Sequence, residues 1–270
     1  MKIGIIALGL IGGSILKNLS SHNLELIAIS QNNGTLEKAK RYGAKTSNDL
    51  NELKDCKLVF VCTPINNTLE TLDKLEPILN SECIVTDVAS VKEFVMQKKR
   101  PYRFIGSHPM AGTEFSGFDA SFKELFEEAK WAITPFEDSE EKDIETLKRI
   151  IELTGAKAII SNAKEHDKAV ALISHMPMLI SQAIYQTASD NELALKLAAS
   201  GFRDMTRLAM SNPTMAKDML EYNGREIENS LEELQKSITK LKCEKYYEMI
   251  SEIKSSREKM YSKEGKNTTF

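Results

Sequence analysis

The sequence predicts a two-domain α/β protein, in which an N-terminal doubly wound, mostly parallel sheet is followed by an all-helical C-terminal domain. The chain has 270 residues, which is too long for one comfortable hydrophobic core. Apolar strand-like runs alternate with helical patterns up to residue 160, and no strand pattern follows. The composition, 41% hydrophobic and 28% charged, is that of an ordinary globular protein. We therefore predict domains at 1–160 and 161–262, with a polar tail at 263–270.

The first half of the chain alternates between strands and helices. The strands that apolar runs predict are Lys2–Ala7, Leu24–Ser30, Leu58–Thr63, Cys83–Val88, Phe104–His108, Lys130–Thr134 and Ala156–Ile160. The helices predicted between them are Ile11–Leu19, Thr35–Tyr42, Asn67–Leu79, Val91–Lys98 and Ser139–Leu153. Because the strands are apolar on both faces, they indicate a parallel sheet that helices cover on each side.

After Ser161 the pattern is helical. The predicted helices are Asn162–Ala188, Asn191–Ala198, one that opens at Pro213, and Leu241–Tyr261. Pro177 lies inside the first of them, where it lacks a backbone N–H and its ring clashes with the carbonyl of Ile173. We therefore expect that helix to kink beside His175.

Charge and cysteine usage narrow the class of protein. The net charge of -3 argues against a nucleic-acid binder, whose domain would be strongly basic. No apolar run is long enough to cross a bilayer. The apolar stretch at the N-terminus is followed by glycines and lacks the cleavage site of a signal peptide, so we interpret it as a strand. None of the cysteines forms a CxxC pair or has metal-ligand spacing; they are Cys56, Cys62, Cys83 and Cys243. We expect buried free thiols, a cytoplasmic protein and no metal site.

A glycine-rich turn follows the first strand. The dinucleotide fingerprint requires glycines at positions 7, 9 and 12, and this chain has Ala7, Gly9 and Gly12. Gly9 lets the backbone approach a pyrophosphate, Gly12 lets the helix pack on the strand, and the helix N-terminus attracts the phosphates. The turn predicts a Rossmann-type site for NAD or NADP that includes Leu10 and Ile11. The alternative is a purely structural glycine turn.

The end of the second strand bears on the choice of cofactor. The residue there contacts the adenosine ribose, and it is Ser30, followed by Gln31. An acidic residue would repel a 2′-phosphate, and Ser30 removes that repulsion. We therefore favour NADP slightly over NAD. In the alternative interpretation, Ser30 only caps the next segment and NAD binds regardless.

Polar residues follow several strands, at the edge where open α/β sheets bind their ligands. Thr63 and Pro64 follow one strand, and Asp87 follows another; all three are candidates to face the cofactor. Ser90 and Lys92 come next. His108 ends a further strand and is flanked by Ser and Pro, and histidine is the side chain that titrates near neutrality without help. It is a candidate catalytic residue, with a structural role as the alternative.

The second half offers a histidine and an arginine pair. His175 lies beside the expected kink, and a core histidine is its alternative role. Arg203 and Arg207 share a face if their segment is helical, and Asp204 can pair with one of them. An arginine pair next to glycine in a cleft suits a substrate that bears a carboxylate, although surface arginines are more common.

Together these residues resemble the prephenate/arogenate dehydrogenase family of tyrosine biosynthesis. The resemblance is carried by LGLIGGS at 8–14, DVASVK at 87–92, GSHPMAGTEFSG at 106–117, SHMP at 174–177 and GFRDMTR at 201–207. The segments occur in the order and spacing of the family over nearly the whole chain. The most specific of these segments is GSHPMAGTEFSG at 106–117.

The resemblance implies an oxidative decarboxylation of a cyclohexadienol with hydride transfer to a nicotinamide. The implied roles are His108 as general base, Ser90 on the substrate hydroxyl, Arg207 on a carboxylate, Glu114 and Thr113 at the substrate entry, His175 beside the substrate, and Arg203 with Asp204 as a gating pair. The family also dimerises through its second domain. An apolar stripe at three- to five-residue steps must be buried either at such an interface or by packing within the domain; it comprises Met215, Met219, Tyr222, Ile227, Leu231, Leu234, Ile238 and Leu241.

Two departures from the family pattern leave the substrate open between prephenate and arogenate. Met178 stands where many prephenate-specific members have a second histidine, and Ala216 stands where many have a tryptophan. Two rival interpretations remain. One is a β-hydroxyacid or ketopantoate reductase type of dehydrogenase that uses Lys164 or Lys168; the other is a non-catalytic NADP-sensing protein.

Overall fold

The computed structural model describes residues 1–113, 115–242 and 245–262, and it separates strands from helices along the chain. Its last strand ends at Ile160, and from Ala163 onward the described elements are helical. Within these ranges, no helix is both long and apolar enough to cross a membrane. The predicted polar tail at 263–270, the thiol of Cys243 and the candidate Glu114 lie outside the described residues.

A six-stranded parallel sheet forms the centre of the first domain and confirms the predicted fold class. The strand order is β3-β2-β1-β4-β5-β6. The strands are β1 Lys2–Ile6, β2 Glu25–Ile29, β3 Lys45–Ser47, β4 Leu58–Val61, β5 Ile84–Asp87 and β6 Arg103–Phe104. In the register, Ile3 of β1 lies between Leu26 of β2 and Leu58 of β4. The sequence analysis missed β3, whose three residues are polar.

Helices cover both faces of this sheet. They are α1 Leu10–Leu19, α2 Asn33–Lys40, α3 Ile65–Leu75 and α4 Glu141–Leu153, with 3-10 turns at Leu50–Leu53 and Lys123–Phe126. One core joins the sheet to α1 and α4, through Leu16 and Leu147 among others. The other core packs α3 on the opposite face, through Leu72 and Leu75. Burial of each amphipathic helix against the sheet therefore makes the domain three layers thick.

The predicted strand Phe104–His108 is two strands in the structure. β6 ends at Phe104 and pairs with β5, whereas β7 Gly106–Pro109 pairs antiparallel with β8 Lys130–Thr134. β8 in turn pairs parallel with β9 Lys157–Ile160. The chain leaves the six-stranded sheet at Ile105. β7 is then the edge strand of a separate three-stranded sheet, in the order β7-β8-β9. His108 therefore lies on a separate sheet that adjoins the carboxyl edge of the main one.

The predicted helix Val91–Lys98 does not form; the segment folds as turns. Tertiary contacts override the helix propensity of this segment, as they often do in proteins. Lys92 has a fully buried side chain, and its backbone N–H donates to Asp167 of the second domain over 2.7 Å. The N–H of Glu93 donates to the same carboxylate over 2.8 Å.

The helical domain contains α5 Ala163–Val170, a π-helical turn Ala171–His175, α6 Met176–Ser189, α7 Glu192–Leu197, α8 Ser200–Thr206, a 3-10 turn Arg207–Met210, α9 Pro213–Leu241 and α10 Tyr246–Ser262. The π-helical turn interrupts the long predicted helix just before Pro177, where we expected a kink. Pro213 occupies the first turn of α9, and Asn212 caps it.

Candidate active site

His108, at the end of β7, is linked to a second histidine and a carboxylate. Its Nδ1 lies 3.0 Å from Nε2 of His166 on α5. Nδ1 of His166 lies 2.8 Å from Oδ1 of Asp167. His108 is half-buried, whereas His166 and Asp167 are 4% and 1% exposed. The three side chains form a hydrogen-bonded chain that leads from the protein interior to the strand end.

Asp167 joins the two domains. Its carboxylate accepts hydrogen bonds from the backbone of Lys92 and Glu93 in the loop after β5 and from the ring of His166. Three donors in fixed positions hold the carboxylate in one orientation. The backbone of the first domain therefore holds the histidine chain of the second domain in place.

A buried ion pair lies beneath His108. Nζ of Lys92 donates to Oδ2 of Asp87 and to the carbonyl of Ser107, the latter over 2.6 Å. Both charged side chains are fully buried. The other carboxylate contacts of Asp87 are to backbone N–H groups of Ala89 and Ser107. These protein donors enclose the Asp87 carboxylate, which holds Lys92 and β7 in place. The expectation that Asp87 faces the cofactor stays a prediction.

Ser107 links β7 to β8 of its own sheet and to β5 of the six-stranded sheet. Its hydroxyl donates to the carbonyl of Asp87 over 2.7 Å and accepts from Nε1 of Trp131 and from the hydroxyl of Thr86, each over 3.0 Å. All four residues are fully buried. We call the residues Asp87, Lys92, Ser107, His108, His166 and Asp167 the sheet-edge network. It fixes the backbone on which His108 stands.

His175 is fully buried at the end of the π-helical turn. Its Nδ1 lies 3.1 Å from the amide nitrogen of Asn223 on α9. The same nitrogen donates to the main-chain carbonyl of Asp167 over 2.9 Å. The candidate His175 is therefore connected to the sheet-edge network through Asn223.

Burial shifts the pKa of three groups in this region. Burial lowers the pKa of His108 well below its ordinary value, and His166, Lys92 and His175 lower it further. Burial lowers the pKa of His175 to about 4, against the opposing effect of Asp167. Burial also lowers the pKa of Lys92, while Asp87 acts to raise it. Both histidines are neutral near pH 7.

The turn after β1 has the shape of a phosphate cradle. A Cβ on Gly12 would lie 2.3 Å from the carbonyl oxygen of Ala7, so only glycine fits there. A Cβ on Gly9 would meet nothing within 4 Å, so the backbone is open on the side where a ligand would approach. The first turn of α1 has no acidic residue. These features fit a dinucleotide pyrophosphate, and Leu10 and Ile11 are half-buried beside it.

Ala7 adopts a left-handed conformation, with φ of 67°. A side chain in that region costs about 1–2 kcal/mol relative to glycine. Alanine is therefore tolerated in this turn at some cost, and the turn keeps its shape without the first glycine of the fingerprint.

The remaining cofactor candidates lie at strand ends. Ser30 follows β2 and accepts a hydrogen bond from the N–H of Asn32 over 3.2 Å. Gln31 is exposed, and its amide donates to the carbonyl of Asn48. Thr63 is half-buried after β4, and the exposed Pro64 caps α3.

Three substrate candidates of the second domain, Arg203, Asp204 and Arg207, lie on an exposed segment. Arg203 and Asp204 are 80% and 75% exposed, and Nε of Arg203 is 3.8 Å from Oδ1 of Asp204. Arg207 is exposed and begins the 3-10 turn after α8, so the segment is not one continuous α-helix. Ser90 is half-buried, and Thr113 is exposed and accepts from the N–H of Phe115. We call residues 200–207 the α8 segment.

Four residues of the site were missed or undervalued by the sequence analysis: His166, Asp167, Asn223 and Trp131. The first two stand in a charged stretch that is typical of a solvated helix face. A signal was available in His166 itself, because the chain has only four histidines and histidine is often functional. Asn223 gave no signal, since it lies in the middle of a helical pattern.

The fold and site define a dinucleotide-binding domain that shares its site with a helical domain. The chain matches the family model of the prephenate dehydrogenase nucleotide-binding domain over residues 13–160. It matches the model of the prephenate dehydrogenase dimerization domain over residues 162–255. The chain belongs to the prephenate/arogenate dehydrogenase family of tyrosine biosynthesis. As a member, it is an oxidoreductase with a nicotinamide cofactor.

Individual relatives agree with this assignment. The prephenate dehydrogenase of Bacillus subtilis is 31% identical over 87% of this chain and 67% of its own length. The crystal structure of Synechocystis arogenate dehydrogenase has a TM-score of 0.85 and 35% identity, covering 96% of this chain and 100% of that one. Prephenate dehydrogenase from A. aeolicus, solved with hydroxyphenyl propionate and NAD+, has a TM-score of 0.84 and 27% identity, covering 96% and 98%.

Proposed function

We propose that this protein converts prephenate to 4-hydroxyphenylpyruvate and CO2, with reduction of NAD+ or NADP+. The observation that carries the proposal is the hydrogen-bonded chain from Asp167 through His166 to His108 at the strand end. Such a chain is what a general base for an alcohol oxidation requires, because it sets which ring nitrogen carries the proton.

The direction of the hydrogen bonds makes His108 a base. The Asp167 carboxylate only accepts, so Nδ1 of His166 carries the hydrogen between them. With a single ring hydrogen, on Nδ1, His166 presents the lone pair of its Nε2, and Nδ1 of His108 must donate to it. The remaining nitrogen of His108, Nε2, is therefore unprotonated. It takes the proton of the substrate hydroxyl, a contribution of typically about 10²–10⁴-fold in rate.

Residues of the first domain would hold the cofactor. The turn Ala7–Gly12 and the start of α1 would bind the pyrophosphate, Ser30 and Gln31 the adenosine ribose, and Thr63 and Pro64 the nicotinamide half. When bound, the dinucleotide accepts the hydride from the carbon that bears the substrate hydroxyl. We favour NADP slightly, since Ser30 carries no charge that would repel a 2′-phosphate. The KM values for NAD+ and NADP+ test this preference.

The substrate carboxylates would be bound from the second domain. Arg207 would bind one of them, with Arg203 and Asp204 as a gating pair and His175 alongside. Ser90 and Thr113 would contact the substrate from the first domain, as would Glu114, which lies outside the described residues. Loss of CO2 as the hydride leaves makes the ring aromatic, which makes the reaction effectively irreversible.

Arogenate is the second candidate substrate. Met178 and Ala216, the two departures from the family pattern, are 4% and 8% exposed and pack together with Met219 and Leu208. An apolar cluster thus stands where many prephenate-specific members carry histidine and tryptophan. The similarity to an arogenate dehydrogenase at 35% identity is consistent with this alternative. Arogenate differs from prephenate only at the side chain, so one polar contact could decide between them.

We also propose that the protein is a homodimer. Large apolar side chains are exposed along the helical domain, namely Leu193, Leu197, Met205, Met210, Met215, Ile238, Tyr247 and Ile253. The apolar stripe on α9 is only partly covered by the chain itself. Met219 and Ile227 are buried within the chain, whereas Met215 and Ile238 are exposed. The match to a dimerization domain supports the same assembly. Sedimentation of a monomer at micromolar concentration would contradict it.

The proposed location is the cytoplasm. Cys56 and Cys83 are buried and Cys62 is half-buried, and all three are free thiols. Burial raises the pKa of Cys56 and Cys83 to about 12, so neither thiol is reactive. Such thiols suit a reducing compartment. Fractionation of the cells that express the protein tests this assignment.

The experiment that tests the function is a reduction assay with prephenate and arogenate, each with NAD+ and NADP+. His108→Asn should reduce kcat by about 10²–10⁴-fold. The matched control is His22→Asn, in the turn after α1, which should leave kcat unchanged. The wild-type kcat/KM should fall in acid only below the ordinary imidazole range, since burial lowers the pKa of His108. A wild-type rate no higher than that of His108→Asn would overturn the proposal.

A further inference from the structure

The long helix α9 is broken at one residue, and that residue enters the site. Asn223 has φ of -129° and ψ of 19°, which interrupts the helix between Pro213 and Leu241. Its side chain is buried. The preceding residue, Tyr222, stacks on Phe94 of the first domain, with ring centroids 3.9 Å apart and planes inclined by 27°. Residues at the break therefore contact both domains, Tyr222 the first and Asn223 the second.

The orientation of the Asn223 amide follows from its partners. The main-chain carbonyl of Asp167 only accepts hydrogen bonds, so the group that faces it at 2.9 Å is the amide nitrogen. The same nitrogen lies 3.1 Å from Nδ1 of His175. An amide nitrogen only donates, so Nδ1 of His175 must be the acceptor. The hydrogen of the neutral ring is therefore on Nε2.

This leaves His175 with a buried donor that lacks a partner. Nε2 of His175 is inaccessible to solvent and has no hydrogen-bond partner among the described residues. Burial lowers the pKa of the ring to about 4, so the ring is neutral and carries only this hydrogen. A buried donor without an acceptor is unfavourable, and an incoming acceptor oxygen would relieve the cost. The ring is close enough to His108 to lower its pKa.

We propose that Asn223 is a positioning residue that locks His175 as an Nε2–H donor, and that this donor receives a carboxylate or carbonyl oxygen of the substrate. The inference rests on the proposed function for the identity of that substrate. It assigns a role in the site to the interior of α9, a helix otherwise expected to serve dimerisation.

The first test observes the tautomer of His175 directly in the wild-type protein. In protein labelled with 15N-histidine, long-range 1H–15N spectra show which ring nitrogen carries the hydrogen. The His175 signals are identified by their loss in His175→Gln. We expect a neutral His175 ring protonated at Nε2 between about pH 6 and 8. A ring protonated at Nδ1 in the wild-type enzyme would overturn the inference.

The second test is Asn223→Asp, which replaces the donor with an acceptor. Above the ordinary imidazole range the hydrogen should move to Nδ1, and KM for prephenate should rise by about tenfold to a hundredfold with little change in kcat. As the pH is lowered the defect should shrink, because an imidazolium carries hydrogens on both nitrogens. Asp167 and His166 also face His175, so each value is compared with the wild type at the same pH. An unchanged KM would contradict the inference.

Two controls separate this inference from its alternatives. Asn229→Asp makes the same change at an exposed position on α9 and should leave KM unaltered. In a His175→Gln background, Asn223→Asp should change KM by less than about twofold, since its effect acts through His175. If neither prephenate nor arogenate is oxidised, the proposed function fails while the spectra still decide the tautomer. Activity together with an Nδ1-protonated His175 refutes this inference alone.

Discussion

The sheet-edge network and the α8 segment are both expected to contact the substrate, yet they are built in opposite ways. Apart from the half-buried His108, every residue of the network is at most 4% exposed. The α8 helix has no buried residue, and its Arg203–Asp204 contact is 3.8 Å long between side chains that are mostly in solvent. The proposed base is therefore positioned before any ligand arrives, whereas the proposed carboxylate-binding segment would rely on the ligand or on a second copy of the chain.

The difference reflects what each region has to do. A general base must keep one tautomer and one orientation, and buried hydrogen bonds supply both. Arginines that admit and release a charged substrate gain from exposure, because a hydrated guanidinium moves at little cost. The contrast predicts that changes in the network will affect rate or stability strongly, and that changes in the α8 segment will affect mainly KM.

The largest expected effect is that of Asp167→Asn. Asparagine has one acceptor oxygen, so its nitrogen must replace Oδ1 or Oδ2 and face the backbone N–H of Lys92 or Glu93. With the nitrogen at Oδ1, the amide donates to Nδ1 of His166, which reverses the chain and places a hydrogen on Nε2 of His108. Because that nitrogen is then no longer a base, kcat should fall by about 10²–10⁴-fold in steady-state assays. Asp190→Asn, at the exposed end of α6, is the matched control. A kcat within tenfold of the wild type, in a variant whose 15N spectra show the hydrogen of His108 on Nε2, would contradict the role of this nitrogen as the base.

Lys92→Met tests the buried pair and should cost stability. It leaves the Asp87 carboxylate buried without its cation, which should reduce the free energy of unfolding by about 3–5 kcal/mol in urea titrations. Arg203→Met breaks an exposed pair in the α8 segment and should shift the unfolding midpoint very little. Equal effects of the two substitutions would remove the distinction drawn between the regions.

Acid should destabilise the protein through His175. Its pKa is about 4 in the folded chain and about 6.5 when unfolded, so the unfolded state binds more protons between these values. The contribution of the neutral His175 ring to the free energy of unfolding is complete above about pH 6.5. It is lost as the pH falls towards 4, a decrease of about 3 kcal/mol. Unfolding titrations at several pH values should show a shallower slope for His175→Gln, which does not titrate there. Identical slopes would contradict the buried neutral ring.

The smallest effect is expected from Arg207→Gln. Loss of one charged hydrogen-bond partner should raise KM for prephenate by about tenfold to a hundredfold and shift the unfolding midpoint very little, because the contacts of an exposed charged side chain contribute little to stability. Arg225→Gln, at an exposed position on α9, is the control. A loss of kcat without a change in KM would mean that this arginine acts on the chemical step and belongs with the network.

Local sequence patterns predicted the structure correctly where they matched the final contacts. The apolar run from Lys2 and the glycines after it predicted both β1 and the start of α1, because strand burial and helix entry depend on neighbouring residues. Local patterns failed at Val91–Lys98, where a helical pattern folds as turns around the buried Lys92. They also failed at Ile105, where the chain leaves one sheet for another.

The sequence by itself determined the alternation of strands and helices, the dinucleotide turn and His108 as the candidate base. These follow from residue type and spacing along the chain. Only the tertiary structure decided that His166, Asp167 and Asn223 stand behind the two site histidines, and therefore which nitrogen of each ring carries the hydrogen. The physical reason is that a tautomer is set by partners across space, some of them more than 50 residues away in the chain.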